Sequence, residues 1–182
     1  DEVVKISKEQ KEEHCDKHYF RIIMEDVTDD KLLNEKDIRD YLAMVAPVDY
    51  SNHFAYRRDI YNFMKEKNLH LDCYNIYVGD SQLSKDYTMS ILDQSGQIED
   101  TITGIEFWYE TNSEGLPMYW GWYSISSLKG ILNKTNKARN IRLRCENIQL
   151  GDETACYRFM PKGDKARFVR YFFGEIHVLP TS

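Results

Sequence analysis

The chain has 182 residues, of which 42% are hydrophobic and 13% are aromatic, and its formal net charge is −6. This composition supplies enough apolar surface for a folded domain and excludes a disordered tail. A net acidic chain is not expected to bind nucleic acid, because phosphate recognition needs a net basic surface. No apolar run approaches the roughly 20 residues that span a bilayer, so we expect no membrane partner and a cytoplasmic location.

Near the N-terminus, two strand patterns flank a polar stretch. Residues 3–6 and 18–27 are rich in β-branched and aromatic residues and predict strands. His14 and His18 lie four positions apart, a spacing that would place both side chains on one helix face as metal ligands. No third ligand of suitable spacing accompanies them, and the cysteines lack paired spacing, so we predict no metal and free thiols.

Two helix patterns follow. Asn34 is a predicted N-cap, and apolar residues at helical spacing continue from Ile38 until Pro47. A second helix is predicted over residues 56–67, with apolar side chains on one face and charged side chains on the other. The two helices give a possible helical subdomain over residues 34–68, inside a single domain that spans residues 1–182.

The apolar pattern then changes to a period of two residues, which is typical of strands. Residues 71–78 predict a strand that turns at 79–82 and pairs back over 83–87. A longer hairpin is predicted from residues 101–111 and 116–124, which are joined by a polar turn that contains glycine. The chain therefore becomes rich in strands after its two helices.

The longer hairpin carries a group of aromatic side chains that includes Trp108, Trp120, Trp122 and Tyr123. Flat aromatic side chains can bind a protein partner, because they give a large contact area at low entropic cost. The alternative is core packing, since aromatics favour strands and alternation places Trp120 and Trp122 on one face that can be buried. The pattern favours packing and leaves partner binding as the other interpretation.

Residues 126–139 are polar and basic, and they contain Lys129, Lys134, Lys137 and Arg139. Residues 140–145 alternate apolar side chains with Arg142 and Arg144, which predicts a strand with one buried face and a basic row on the other. The charge count favours a solvated basic face. The other interpretation is a surface that faces an anion.

A second strand pattern covers residues 167–179, after a helix-like spacer. Strands, helices and then many strands predict an α+β fold with a mixed or mostly antiparallel sheet and helices packed on one face. Glu175 and His177 share a face of the last strand, as a catalytic base and an orienting carboxylate would. Structural packing is the favoured interpretation, because nothing else completes an active site.

The chain resembles the second or transducer domain of the GHKL ATPases in four motifs, at residues 41–48, 140–144, 147–152 and 167–178. That superfamily includes DNA gyrase, MutL, histidine kinases and the ninety-kilodalton heat-shock chaperone, and the closest likeness is to bacterial chaperone-like ATPases. The resemblance implies a ribosomal-protein-like domain that is not an enzyme on its own. Asn140 stands where that family commonly has glycine.

The resemblance also implies what the chain lacks. Its nine glycines are scattered, and no phosphate-binding loop or other nucleotide motif is present. We therefore expect a fragment of a longer protein, whose upstream ATPase domain binds ATP and magnesium, with no cofactor in this chain. A homodimer of the full-length protein and a protein client are possible partners.

In that family the second domain directs a cation at the terminal phosphate. By position, Lys129 and Arg139 are the first candidates for this contact, followed by Lys134 and Lys137.

Overall fold

The computed structural model describes residues 25–156 and 169–179. The predicted strand at 3–6, the stretch with His14 and His18, and most of the predicted strand at 18–27 lie outside these residues. Residues 25–27 are described and do not form a strand.

The described chain begins with three helices: α1 (Asp30–Leu33), α2 (Glu35–Val45) and α3 (Arg57–Glu66). Asn34 caps α2 as predicted, because its side-chain oxygen accepts hydrogen bonds from the amides of Lys36 and Asp37 at 3.0 and 3.3 Å. α3 buries Ile60 and Met64 on the apolar face that its sequence predicts. Both predicted helices are therefore present.

Nine strands follow in the described residues: β1 (Tyr77–Val78), β2 (Ser81–Gln82), β3 (Ser90–Leu92), β4 (Ile98–Thr101), β5 (Gly104–Thr111), β6 (Pro117–Ile125), β7 (Asn140–Cys145), β8 (Ile148–Gln149) and β9 (Phe173–Val178). Five of them form one sheet in the order β5–β6–β9–β7–β8, and the others form two hairpins, β1–β2 and β3–β4. The β7–β9 pair is parallel and the remaining pairs are antiparallel. The domain is therefore α+β with a mostly antiparallel sheet, as predicted.

The strand predicted over residues 71–78 is much shorter than its pattern suggests. Only β1 is a strand, and the residues before it run along the loop after α2, where the Tyr74 amide donates to the Pro47 carbonyl at 2.8 Å. Beyond β2, Lys85 forms an isolated parallel bridge with Tyr50. The period-two pattern of residues 71–78 therefore reflects packing against the loop after α2, because that loop is not a strand.

One face of the large sheet carries α2 and α3. Directly paired residues share a face, so Phe107, Trp122, Glu175 and Arg142 form a row across four strands. Phe63 of α3 stacks on Phe107 with ring centroids 4.2 Å apart. The opposite face carries a smaller apolar cluster built around Ile141, Cys156 and Val169.

Left-handed backbone positions explain the asparagines in the β7–β8 region. Glu146 and Asn147 have φ values of 48° and 65°, as the two central residues of a tight type I′ hairpin turn require. Asn140 has a φ of 71° at the start of β7. Asparagine tolerates this conformation better than most side chains.

Candidate functional site

The carboxylate of Glu175 lies at the centre of a closed polar cluster on the helix-covered face of the sheet. Its side chain is fully buried. Five groups surround it: the hydroxyls of Tyr50 and Tyr87, the ammonium of Lys85, the guanidinium of Arg144 and the imidazole of His177. The Lys85 ammonium lies 2.8 Å from Glu175 Oε2, and the Arg144 Nε lies 2.6 Å from Oε1. We call these six residues the Glu175 network.

Aromatic side chains enclose the network. Trp122 is fully buried and donates from its indole nitrogen to the Tyr50 hydroxyl at 3.0 Å. Trp120 is equally buried and stacks on the His177 ring at 4.3 Å. These rings exclude water from the charged groups, which strengthens each electrostatic contact and raises the cost of leaving any one unpaired.

The charge state of Glu175 follows from its neighbours. Burial alone would raise the pKa of this carboxyl, but the positive charges of Arg144 and Lys85 outweigh burial and hold the pKa well below its usual value. Burial lowers the pKa of Lys85 to about 7, with Arg144 acting in the same direction and Glu175 opposing it. The carboxyl of Glu175 is therefore kept in its charged form mainly by Arg144, which cannot lose its proton under ordinary conditions.

His177 is a neutral member of the network. Burial lowers its pKa to about 4, against the opposing effect of its hydrogen bond to Glu175. Its Nε2 lies 2.9 Å from Glu175 Oε2, so the neutral ring donates to the carboxylate. Burial and the negative charge of Glu175 also raise the pKa of Tyr50 well above its usual value. Both side chains therefore act as hydrogen-bond donors near neutral pH.

Arg144, a member of the network, and Asn147 tie distant loops to it. Arg144 Nη2 donates to the Met44 carbonyl at 2.6 Å, at the end of α2. The amide nitrogen of Asn147 donates to the Asp72 carbonyl at 2.7 Å and to the Val48 carbonyl at 3.3 Å. Backbone carbonyls that would otherwise be buried without donors are thereby satisfied. The end of α2, the loop after it and the β7–β8 hairpin are held as one unit.

The arrangement supports anchoring better than catalysis. The side chains of Glu175, Lys85 and Arg144 are fully buried, and within the described residues their polar groups face one another. A catalytic group needs space beside it for a substrate. The interpretation of Glu175 and His177 as structural packing therefore agrees with the geometry.

The predicted basic row on β7 is corrected by the structure. Arg142 and Arg144 are 6% and 0% exposed, so these cations face the interior and not solvent. Arg142 donates to the Lys137 carbonyl at 2.6 Å and to the Gln149 side chain at 2.6 Å. The predicted alternation of side chains along β7 is present. The arginine side nevertheless faces the core, where Arg144 pairs with the buried carboxylate of Glu175.

The basic stretch between β6 and β7, residues 126–139, forms a loop at the end of the sheet where β7 and β9 begin. We call it the basic loop. Its second half is firmly tied: the Asn136 side chain both accepts from the Leu92 amide and donates to the Leu92 carbonyl, each at 2.8 Å. Its middle is fixed at one point, where the Leu132 amide donates to the Arg170 carbonyl at 3.0 Å.

The four candidate cations of the basic loop fall into two pairs. Lys137 lies 2.6 Å from Asp40 of α2, and Arg139 lies 2.9 Å from Glu153. The hydrogen bond from Lys137 lowers the pKa of Asp40 and outweighs its partial burial. Lys129 and Lys134 are exposed and form no ion pair with any described residue. The structure thus leaves Lys129 and Lys134 available to an external anion.

The four aromatic candidates lie on two different faces of the sheet. Trp120 and Trp122 are fully buried beside the Glu175 network, which corrects the interpretation that they contact a partner. Trp108 and Tyr123 lie on the opposite face of the sheet, half-buried, and stack with ring centroids 4.6 Å apart. Strand alternation explains the split, since successive residues point to opposite faces.

Sequence reasoning missed Lys85, Tyr50 and Tyr87, which complete the network. A signal for Lys85 was present, because Leu83, Lys85 and Tyr87 alternate with more exposed residues and all three are buried. A lysine on the apolar side of such a pattern indicates a buried acidic partner. The identity of that partner depends on tertiary structure.

Neither a metal site nor a membrane-spanning helix is found in the part of the chain that the structure describes. No group of three or more His, Cys, Asp or Glu side chains is arranged to hold a metal ion. None of the described helices is long and apolar enough to cross a bilayer.

Comparison with protein-family models, with curated proteins and with solved structures finds no match to this chain.

Proposed function

We propose that this chain is the non-catalytic middle domain of a chaperone-like GHKL ATPase, where it couples ATP binding and hydrolysis in an upstream domain to a conformational change. The observation that carries the proposal is that motifs far apart in the chain meet in one buried structure. The motif at residues 41–48 supplies the carbonyls of Met44 and Val48, which accept from Arg144 and Asn147. The last motif supplies Glu175, which pairs with Arg144.

The geometry gives this role a physical basis. The basic loop is bonded to β3 through Asn136, to α2 through Lys137 and to the sheet through Arg142. The Glu175 network resists deformation, because separating its charges would leave them unpaired in the interior. A pull on the loop is therefore transmitted to α2 and the sheet as a movement of the whole domain, and not absorbed locally.

The cation that meets the terminal phosphate is assigned to Lys129 or Lys134. A positive charge directed at the transferring phosphoryl group stabilises its developing negative charge, and the contact is lost after hydrolysis. Lys137 is the next candidate, because Asp40 would keep Lys36 as a partner at 3.0 Å if Lys137 moved away. Arg139 ranks last, since it would have to leave Glu153.

In this proposal ATP and magnesium are bound by the upstream domain, and this chain contributes positive charge alone. A homodimer of the full-length protein and a cytoplasmic location belong to the same proposal. The physical requirement on the chain is limited to an exposed cation on a well-anchored loop, which Lys129 and Lys134 satisfy.

ATP turnover by the full-length protein tests the proposal. Lys129→Ala and Lys134→Ala are compared with wild type and with Lys65→Ala, which removes an exposed lysine from α3. We expect one loop variant to slow turnover by about tenfold or more while ATP affinity is kept, because the lost contact acts in the transition state. The Lys65→Ala control should turn over ATP at the wild-type rate. Equal rates in all variants would contradict the proposal.

A second function, binding of a protein partner, is favoured by the stacked pair of Trp108 and Tyr123. Both rings are half-exposed and lie beside Phe172 and Ile176 on the face of the sheet opposite to α2 and α3. Partner surfaces are enriched in such aromatic side chains. Binding of a hydrophobic dye to wild type, but not to Trp108→Ser, would support this function, and equal dye binding would count against it.

A further inference from the structure

The large sheet ends at β5 on one side and at β8 on the other. Among the described residues β5 is the outermost strand on its side of the sheet, and it contains 8 residues. An edge strand presents unpaired backbone N–H and C=O groups along its outer side, and such groups can pair with another extended chain. β5 contains no proline, and its irregularity in register is confined to its last residues, near Glu110 and Thr111.

An open cleft of about 480 Å³ lies over this edge. One wall is a face of α3 and the other is formed by Gly104, Ile105 and Phe107 of β5. No residue of β6 lines the cleft, so the cleft lies over the edge strand and not over the middle of the sheet. The stacked rings of Phe63 and Phe107, parallel to within 7°, give the cleft a rigid apolar floor.

The α3 wall of the cleft is acidic. Asp59 and Glu66 line it, both on the exposed side of the helix. The nearby cation Lys67 is already engaged, since it lies 2.9 Å from Glu66 and its ammonium lies over the Tyr109 ring at 5.6 Å. Asp59 forms no ion pair with any described residue. The charge of the cleft therefore complements a positively charged occupant.

We infer that the cleft between α3 and β5 binds an extended, lysine-rich or arginine-rich peptide segment, which adds to β5 as a further strand. Main-chain hydrogen bonds to the edge of β5 supply affinity, and alternate side chains supply specificity. The basic side chains point to Asp59 and Glu66, and the intervening side chains lie beside Trp108 on the other face. This site sharpens the second function and does not use the cations of the basic loop.

The test uses a fluorescent peptide of the same length as β5 that alternates lysine and valine, with a glutamate–valine peptide as its control. We expect the lysine peptide to bind at least about tenfold more tightly. We also expect it to slow amide hydrogen exchange in residues 104–111, because strand addition protects the outward N–H groups of β5.

A matched pair of double variants tests the charge assignment. D59N/E66Q should weaken binding of the lysine peptide about fivefold at low salt. D26N/D80N removes the same charge from exposed positions outside the cleft and should leave the affinity within about twofold. Both variants change surface residues only, so the fold is expected to be kept.

Several results would overturn the inference. They are equal binding of both peptides, no binding, or equal effects of the two double variants. Protection that does not include residues 104–111, or outward amides of β5 that are already protected in the free protein, would overturn it as well. None of these results bears on ATP turnover by the Lys129 and Lys134 variants, so failure here is distinguishable from failure of the transducer proposal.

Discussion

Replacing Glu175 with glutamine removes the only described anion that pairs with both buried cations of the network. Glutamine keeps the size of the side chain but loses its charge. The Lys85 ammonium and the Arg144 guanidinium then remain in the core without a counter-charge. Whichever carboxylate oxygen becomes the amide nitrogen, its N–H groups face a cation that cannot accept a hydrogen bond: Arg144 at the Oε1 position or Lys85 at the Oε2 position.

The expected loss of stability follows from this geometry. Breaking a buried ion pair by removing one partner costs about 3–5 kcal/mol. Lys85 can release its proton at modest cost, because its pKa is already lowered to about 7, whereas Arg144 stays charged. We therefore expect a loss near the lower limit, about 3 kcal/mol, which corresponds to a fall in Tm of about 10 °C for a chain of this size.

Urea unfolding followed by tryptophan fluorescence measures the change, since the buried Trp120 and Trp122 lie against the network. Glu66→Gln is the matched control at an exposed site, and its effect should stay within about 0.5 kcal/mol. Adding Lys85→Met to Glu175→Gln removes one uncompensated cation and should recover about 1 kcal/mol. A free energy of unfolding for Glu175→Gln within about 1 kcal/mol of wild type would show that the buried cations do not need this anion.

Three further predictions concern the surrounding backbone and pH. Asn147→Ala should cost about 2–3 kcal/mol in the same assay, and Asn147→Gly about 1 kcal/mol less, because glycine keeps the φ of 65°. Equal losses would exclude backbone strain there. Gly174→Ala should cost about 2 kcal/mol or more, since a Cβ would collide with the Trp122 carbonyl, whereas Gly130→Ala meets nothing within 4 Å and should be nearly neutral. Stability should fall as pH drops from about 6.5 to about 4, because the unfolded chain protonates His177 in that window and the folded chain does not. His177→Gln should flatten this slope, and an unchanged slope would assign it to another group.

The sequence predicted the local structure well where short-range chemistry decides it. Asn34 as a cap, the two helices and the β5–β6 hairpin are all present, because capping, periodicity and turn residues act between neighbours in the chain. The short β3–β4 hairpin was not predicted. Its strands contain 3 and 4 residues, too few to establish an alternating pattern.

The site was harder to predict because its partners are distant in the chain. Alternation correctly separated Arg142 and Arg144 from their apolar neighbours, but charge suggested that their face is solvated. Only the parallel pairing of β7 with β9 places Glu175 beside that face. The bridge between Tyr50 and Lys85 then places the second cation, the Lys85 ammonium, beside Glu175. A period of two residues identifies a face, but it does not identify what covers the face.

In the proposed function, this chain completes an ATPase located in an upstream domain. The most direct test expresses that upstream segment separately, adds this chain in trans and measures ATP turnover. We expect the chain to accelerate turnover, and we expect a Lys129→Ala/Lys134→Ala double variant, with its fold intact, not to do so. A coding sequence with no nucleotide-binding segment next to this chain, or equal acceleration by both forms, would contradict it.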